Sequence, residues 1–293
     1  MTTLTRRKFL LAGAGAVLLA ACGSGGGGDG DEITVPEPEP EPDDSPVNRP
    51  GSRLNLVVAS YVHASGIDER VTLALLNDDA SGPLRPDGPV TFAIDGAEVP
   101  AELHADGIPL PYFLVRHRFE QPGVVSVKAS AGGRSGEAAL QVLDPAGIRV
   151  PIPGRPMIST PTPTVADARG VDPICTAEPA CPLHEVSLDA ALAEGRPVAL
   201  LFATPARCQS RLCGPVLDNL LAQRDAFGDR VRFVHAEIFA TRTGTGLAPA
   251  VQAYHLESEP FLFLAGADGI VRERIDNAFD RTEVAAALGR LVA

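Results

Sequence analysis

The chain has 293 residues, enough for two ordinary domains once termini and connections are set aside. Lys and Arg number 25 against 37 Asp and Glu, a net charge of −12 that excludes nucleic acid and electrostatic adhesion to anionic lipid as binding modes. Of five cysteines, four fall in the last 120 residues, so thiol chemistry is the feature to follow.

Residues 1–22 read as an export signal rather than as part of a fold. Thr5-Arg6-Arg7-Lys8-Phe9-Leu10 is a twin-arginine pattern, and Phe9–Ala21 is an apolar run too short to span a bilayer. Leu19-Ala20-Ala21-Cys22 resembles a bacterial lipobox. That resemblance implies cleavage before Cys22, lipidation of Cys22, and an extracytoplasmic protein held to the cell membrane by its lipid. Cleavage removes Arg6, Arg7 and Lys8 and no acid, leaving 22 basic against 37 acidic residues and a net charge of −15. Residues 23–53 read as a linker, flexible at Gly25–Gly28 and stretched at Pro36–Pro42, where Pro alternates with Glu.

Residues 54–143 change character. Short runs separated by turn residues predict strands at Leu54–Ser60, Arg70–Leu76, Val90–Ile94, Ala97–Leu103, Tyr112–Phe119, Val124–Ser130 and Ala138–Leu143. Seven strands in some ninety residues predict an antiparallel sandwich. The segment resembles bacterial immunoglobulin-like modules, a likeness that is architectural and carries no site. His63, His104 and His117 are scattered over it and read as ordinary surface or satisfied residues. Residues 144–182, with Pro151, Pro153, Pro156, Pro161 and Pro163, read as a second linker and a domain boundary. At its end Cys175 and Cys181 flank Pro179 and are candidates for a structural disulfide. Ser187 then caps a short helix, Leu188–Glu194, which Gly195 stops.

Residues 183–293 hold the candidate chemistry. Val198–Ala203 predicts a fully buried strand, and Val216, Leu217, Leu220 and Leu221 mark one face of a helix. Cys208 and Cys213 lie between them. A thiol at such a turn meets the positive end of the helix dipole, and Arg207 and Arg211 would lower its pKa further. Residues five apart in a regular helix have Cα atoms roughly 8–9 Å apart, whereas a disulfide needs less than ~7 Å. The pair therefore bridges only if Cys208 precedes the helix. A strand at Val231–Phe239, a helical turn at Pro249–Tyr254, a strand after Pro260, a hairpin at Gly266–Gly269 into Ile270–Arg274, and a final helix Arg281–Leu291 capped at Asp280-x-x-Glu283 complete the order.

That order resembles the thioredoxin-like family over roughly Leu183–Ala293. The fold expected is therefore multidomain: an N-terminal all-β immunoglobulin-like sandwich plus a C-terminal α/β thioredoxin-like domain. The resemblance implies that Cys208 attacks as thiolate, Cys213 resolves, Arg207 assists, and Pro260, at the family's cis-proline position, shapes the substrate groove. Three departures stand out: four residues rather than two separate the cysteines, tryptophan is absent, and Val198–Phe202 holds no acid. A second register, with Cys213-Gly214-Pro215 on the motif, stays open.

Four cysteines allow three pairings. Cys175–Cys181 with Cys208–Cys213 is the local one, and a crossed arrangement would staple the linker over the helix terminus. The expected activity is thiol–disulfide exchange on exported proteins or small thiols, with no cofactor, no metal and no nucleic acid. The alternatives are a non-catalytic envelope scaffold with structural disulfides, or a copper-binding thioredoxin-like chaperone using the 208/213 pair with a histidine from His184, His235 or His255.

Overall fold

The computed structural model describes residues 53–293 apart from 81, 85 and 87; the export signal, Cys22 and the linker at 23–52 lie outside the described residues. Nine strands come first: β1 (Asn55–Val58), β2 (His63–Ala64), β3 (Asp68–Leu76), β4 (Thr91–Ile94), β5 (Ala97–Val99), β6 (Glu102–His104), β7 (Tyr112–Arg118), β8 (Gly123–Ala131) and β9 (Arg134–Leu143). They form two sheets, β1-β3-β7-β6 and β2-β9-β8-β4-β5, antiparallel except for the β2–β9 pair. Alternation explains the packing. Leu73 and Leu75 of β3 share one core with Val125, Val127 and Ala129 of β8 and with Phe92 and Ile94 of β4. Two sheets with their apolar faces together make a sandwich. The run predicted as one strand at Ala97–Leu103 is two. Pro100 cannot donate to a ladder, and the chain changes sheets there, β5 pairing with β4 and β6 with β7.

The second half contains α1 (Leu188–Ala193), β10 (Val198–Phe202), α2 (Cys213–Leu221), α3 (Arg224–Phe227), β11 (Arg232–Ala236), α4 (Pro249–Ala253), β12 (Phe261–Ala265), β13 (Val271–Asp276) and α5 (Arg281–Leu291). Its sheet runs β11-β10-β12-β13, with β10 and β11 parallel and the other neighbours antiparallel. Every residue of β10 is buried, because both faces of the sheet are covered. Ala199 and Leu201 point to the side that carries α2 and α5. Val198, Leu200 and Phe202 point to the side that carries α1 and α4.

The structure differs from the expected linker at 144–182. Ile148, Val150, Ile152, Met157 and Val171 are buried in the core beneath α1 and α4. Backbone bonds tie the segment to the hairpin before β13, Gly154 N–H to Val271 O at 2.9 Å and Met157 N–H to Gly269 O at 2.8 Å. The second half thus begins near residue 145 rather than at 183, and the described residues belong to one compact unit.

Buried polar groups join the sandwich to the second half. Arg70 on β3 reaches Glu283 on α5, with Nε to Oε1 at 2.5 Å and Nη2 to Oε2 at 2.8 Å, and also donates to the backbone carbonyl oxygens of Asp276 and Ala278. Tyr112 OH donates to the same Glu283 carboxylate. Burial alone would push that carboxyl up, but the charge and hydrogen bonds of Arg70 and the Tyr112 hydroxyl hold it below its ordinary range. Asp280 caps α5 as its sequence predicts, accepting from Glu283 N–H at 2.7 Å. The reciprocal half of a capping box is absent, since Glu283 is spent on Arg70. Asp280 also holds His104 at 2.9 Å and the backbone N–H groups of Ala105 and Asp106. Asn219 of α2 donates to Gly107 O at 3.0 Å, and Gly107 has φ of +73° with no room for a Cβ against Asn219. His63 and His104 are both buried, one bonded to Ser60 and the other to Asp280.

Candidate functional site

The chain leaves β10 at Phe202 and turns through Thr204–Leu212 before α2 begins at Cys213. Arg207 N–H bonds Thr204 O at 3.0 Å and Arg211 N–H bonds Cys208 O at 3.2 Å, so Cys208 sits in a turn rather than in helix. This is the condition that spacing sets for the two sulfurs to meet. Cys213, as the first residue of α2, points its N–H at Cys208 Sγ, 3.2 Å away. Ser210 Oγ lies 3.2 Å from the same sulfur. A helix start leaves its first N–H groups without intrahelical partners, and here a sulfur takes one of them.

The electrostatics follow from these contacts. The Cys213 thiol, then Ser210 and the backbone N–H groups of Cys213 and Leu212, lower the Cys208 thiol to about 5 against the opposing effect of burial. Cys208 is half-buried. Cys213 is fully buried, and its thiol is pushed well up by Cys208 and by burial. One sulfur is therefore reachable and favoured as thiolate, while its enclosed neighbour is favoured as thiol.

Arg207 is not among the groups that act most strongly on Cys208. The hydrogen bonds to Cys208 come from Cys213, Ser210 and the helix start, while the exposed Arg207 lies along Gly244. A Cβ at Gly244, whose φ is +77°, would come within 3.1 Å of Arg207 Cδ. Pro260 precedes β12, and Phe261 pairs with Phe202, so Pro260 stands across from the strand end that leads to Cys208. The Glu259–Pro260 bond is cis. Sequence reasoning missed Glu259. It is half-buried, and its carboxyl is raised by burial and then by the charge of Cys208. Its backbone oxygen accepts from Tyr61 OH of the sandwich at 2.8 Å. The adjacent Pro260 was the available signal.

Cys175 and Cys181, expected as a disulfide, are free thiols, as are Cys208 and Cys213. They are buried beside two histidines. Cys181 Sγ lies 3.3 Å from His235 Nδ1, Cys175 Sγ lies 3.9 Å from it, and His184 Nε2 lies 3.1 Å from it. His255, one of the three histidines considered as a copper partner for the 208/213 pair, instead faces Arg149, with Nε2 3.1 Å from Nη2. Among the described residues, the group of His, Cys, Asp and Glu dense enough to hold a metal is Cys175, Cys181, His184 and His235.

No protein family matches the chain, and no curated protein matches it. Solved structures similar to parts of it include a polysaccharide lyase, 21% identical over 31% of this chain and 12% of that one, with a TM-score of 0.23. The Lin-41 filamin domain is 11% identical over 31% of this chain and 94% of its own, also at 0.23. The PKD domain of human VPS10 domain-containing receptor SorCS2 is 23% identical over 43% of this chain and 98% of its own, at 0.18. Likeness at this level assigns no function.

Proposed function

We propose that the chain is an extracytoplasmic lipoprotein, anchored through Cys22, whose second half is a thioredoxin-like module for thiol–disulfide exchange on exported proteins or small thiols. The observation that carries the reading is the Cys208 sulfur, half-exposed and hydrogen-bonded at 3.2 Å to the N–H that opens α2, with Cys213 enclosed behind it. The strand order β11-β10-β12-β13, and the immunoglobulin-like reading of the sandwich before it, are consistent with that architecture.

In the exchange, Cys208 thiolate attacks one sulfur of a substrate disulfide, forming a mixed disulfide and expelling the other sulfur as thiolate. Cys213 then gives up its proton and attacks Cys208 Sγ. This forms the Cys208–Cys213 disulfide and frees the second substrate thiolate, so the substrate gains two electrons and the protein loses two. The same steps reversed oxidise a dithiol. Glu259, which is half-buried and whose charge acts on Cys213, is the group proposed to accept the Cys213 proton. Pro260 borders the groove where the substrate chain would lie.

The test is trapping. Cys213→Ser protein, taken from the cell envelope under acid quench, is expected to carry a mixed disulfide at Cys208, and Cys208→Ser protein to carry none. If neither variant traps a partner or a small thiol, the fold serves as a scaffold and the exchange reading fails. For the anchor, Cys22→Ala protein is expected in the soluble fraction or as uncleaved precursor. Fully processed protein still in the membrane fraction would refute it.

A further inference from the structure

We infer that Cys175, Cys181, His184 and His235 form a structural metal site that takes a tetrahedral divalent cation of the zinc class. Their four ligand atoms, two Sγ, His184 Nε2 and His235 Nδ1, all lie within 4.8 Å of one another. Two thiolates with two imidazoles is a common closed zinc set. Metal–sulfur and metal–nitrogen bonds of ordinary length place tetrahedral ligand atoms roughly 3.3–3.8 Å apart. The contacts at His235 Nδ1, 3.1 Å to nitrogen and 3.3 and 3.9 Å to the sulfurs, bracket that spacing. A disulfide would use the two thiols and need neither imidazole.

The surroundings are built for a ligand atom at His235. Its Nε2 lies 3.0 Å from Ala203 O, a pure acceptor, so Nε2 carries the proton and Nδ1 keeps its lone pair. Both sulfurs and His184 Nε2 lie within 3.9 Å of that nitrogen, and metal-ligating histidines obtain their ring orientation from an outer hydrogen bond of this kind. Cys181 N–H donates to Cys175 Sγ at 3.2 Å, a contact suited to thiolate. The four residues are between 0% and 7% exposed, and all four tetrahedral corners come from protein. No open position remains for water or substrate, which marks the site as structural rather than catalytic. On binding, the two thiols lose two protons to solvent, and two thiolates balance the dication's charge inside the core.

The site has something to hold. Residues 172–186 have no regular helix or strand, and Cys175, Cys181 and His184 are spread along them, while His235 sits on β11. Thr176 donates to Glu237 through both N–H and hydroxyl, and Thr176 Oγ1 accepts from Ala206 N–H at 3.2 Å. Ala206 belongs to the turn that carries Cys208. A cation at the four ligands therefore pins an irregular segment against the strand end and supports the exchange turn from behind.

The experiment titrates the reduced full chain with Co²⁺ under anaerobic conditions. One equivalent is expected to give the intense visible bands of tetrahedral cobalt and thiolate charge transfer in the near ultraviolet, both abolished by Zn²⁺. Cys208→Ser/Cys213→Ser protein is expected to keep the spectrum, and His235→Gln to lose it. Should His235→Gln fail to fold, alkylation of wild-type protein decides. Zn²⁺ is expected to shield Cys175 and Cys181 while Cys208 labels, and a chelator to remove the shielding. The assignment is overturned by a wild-type chain that gives no stoichiometric tetrahedral spectrum, by a spectrum lost with Cys208 and Cys213, or by binding of Cu⁺ alone. A Cys175–Cys181 disulfide in protein taken from cells with its thiols trapped overturns it too.

Discussion

Removing the Cys213 thiol is expected to return Cys208 toward ordinary cysteine behaviour, because that thiol is the largest influence lowering Cys208 to about 5 from 9.0. At about pH 6 a thiol at 5 is roughly 90% thiolate, against roughly 0.1% for one at 9, a gain of some 900-fold. Nucleophilicity falls with pKa at a slope of about 0.4–0.5, which over four units takes back roughly 40- to 100-fold. The net expectation is alkylation at Cys208 roughly ten- to twentyfold faster than at an ordinary thiol at about pH 6. The assay is iodoacetamide labelling of reduced protein across pH, read peptide by peptide. Wild-type Cys208 is expected to show an inflection near 5, Cys213→Ala to move it up and erase most of the advantage, and Ser210→Ala to move it up less. A wild-type inflection at the ordinary thiol value, or Cys213 labelling before Cys208, would refute the reasoning and favour the register built on Cys213-Gly214-Pro215.

Two further expectations concern stability. Arg70→Met leaves the Glu283 carboxylate buried without its cation. A loss of about 3–5 kcal/mol is expected from denaturant midpoints, largely recovered in Arg70→Met/Glu283→Leu; a loss below ~1 kcal/mol in the single variant would sink it. Burial lowers the His63 imidazole to about 4 from 6.5, so the unfolded chain takes up its proton first. The stability His63 contributes is complete above 6.5 and is lost as pH falls from there through about 4, about 3 kcal/mol in all. His63→Gln is expected to flatten that slope, and an unchanged slope would count against the buried neutral ring.

Much of the fold was legible because its strands are amphipathic. The alternation in β8 and β9 announces a sheet with one wet face, and Asp280-x-x-Glu283 announces the start of α5. The segment 144–182 was misread for a physical reason. Its prolines suggest an extended, solvated chain, yet Ile148, Val150 and Ile152 alternate as a half-buried strand would. Proline restricts φ and removes a donor, but it does not forbid burial beside a sheet edge. Nothing local in the sequence states that Arg70 finds Glu283, 213 residues away. Such a pair depends on tertiary contact and has no signature in spacing.

The site divides along the same line. The Cys208 turn was legible because a buried strand, a dithiol and a helix start are adjacent in sequence. The Cys175 cluster was only half legible. Cys175, Cys181 and His184 are close in the chain, but His235 lies on a strand buried on both faces, and such a strand has no hydrophobic alternation to say which way it points. Register supplies the missing fact. His235 pairs with Leu201, so it faces the side that holds Cys175, Cys181 and Leu183. From there burial separates the two proposed roles. Exchange requires an attacking or leaving sulfur in line with the bond that breaks, and hence a sulfur that a partner can reach. Cys208 offers that access, whereas Cys175 and Cys181 are each 7% exposed within the core. The two thiol pairs lie in one hydrophobic cluster, the proposed exchange pair with one sulfur at its edge and the proposed cation ligands enclosed beside two imidazoles.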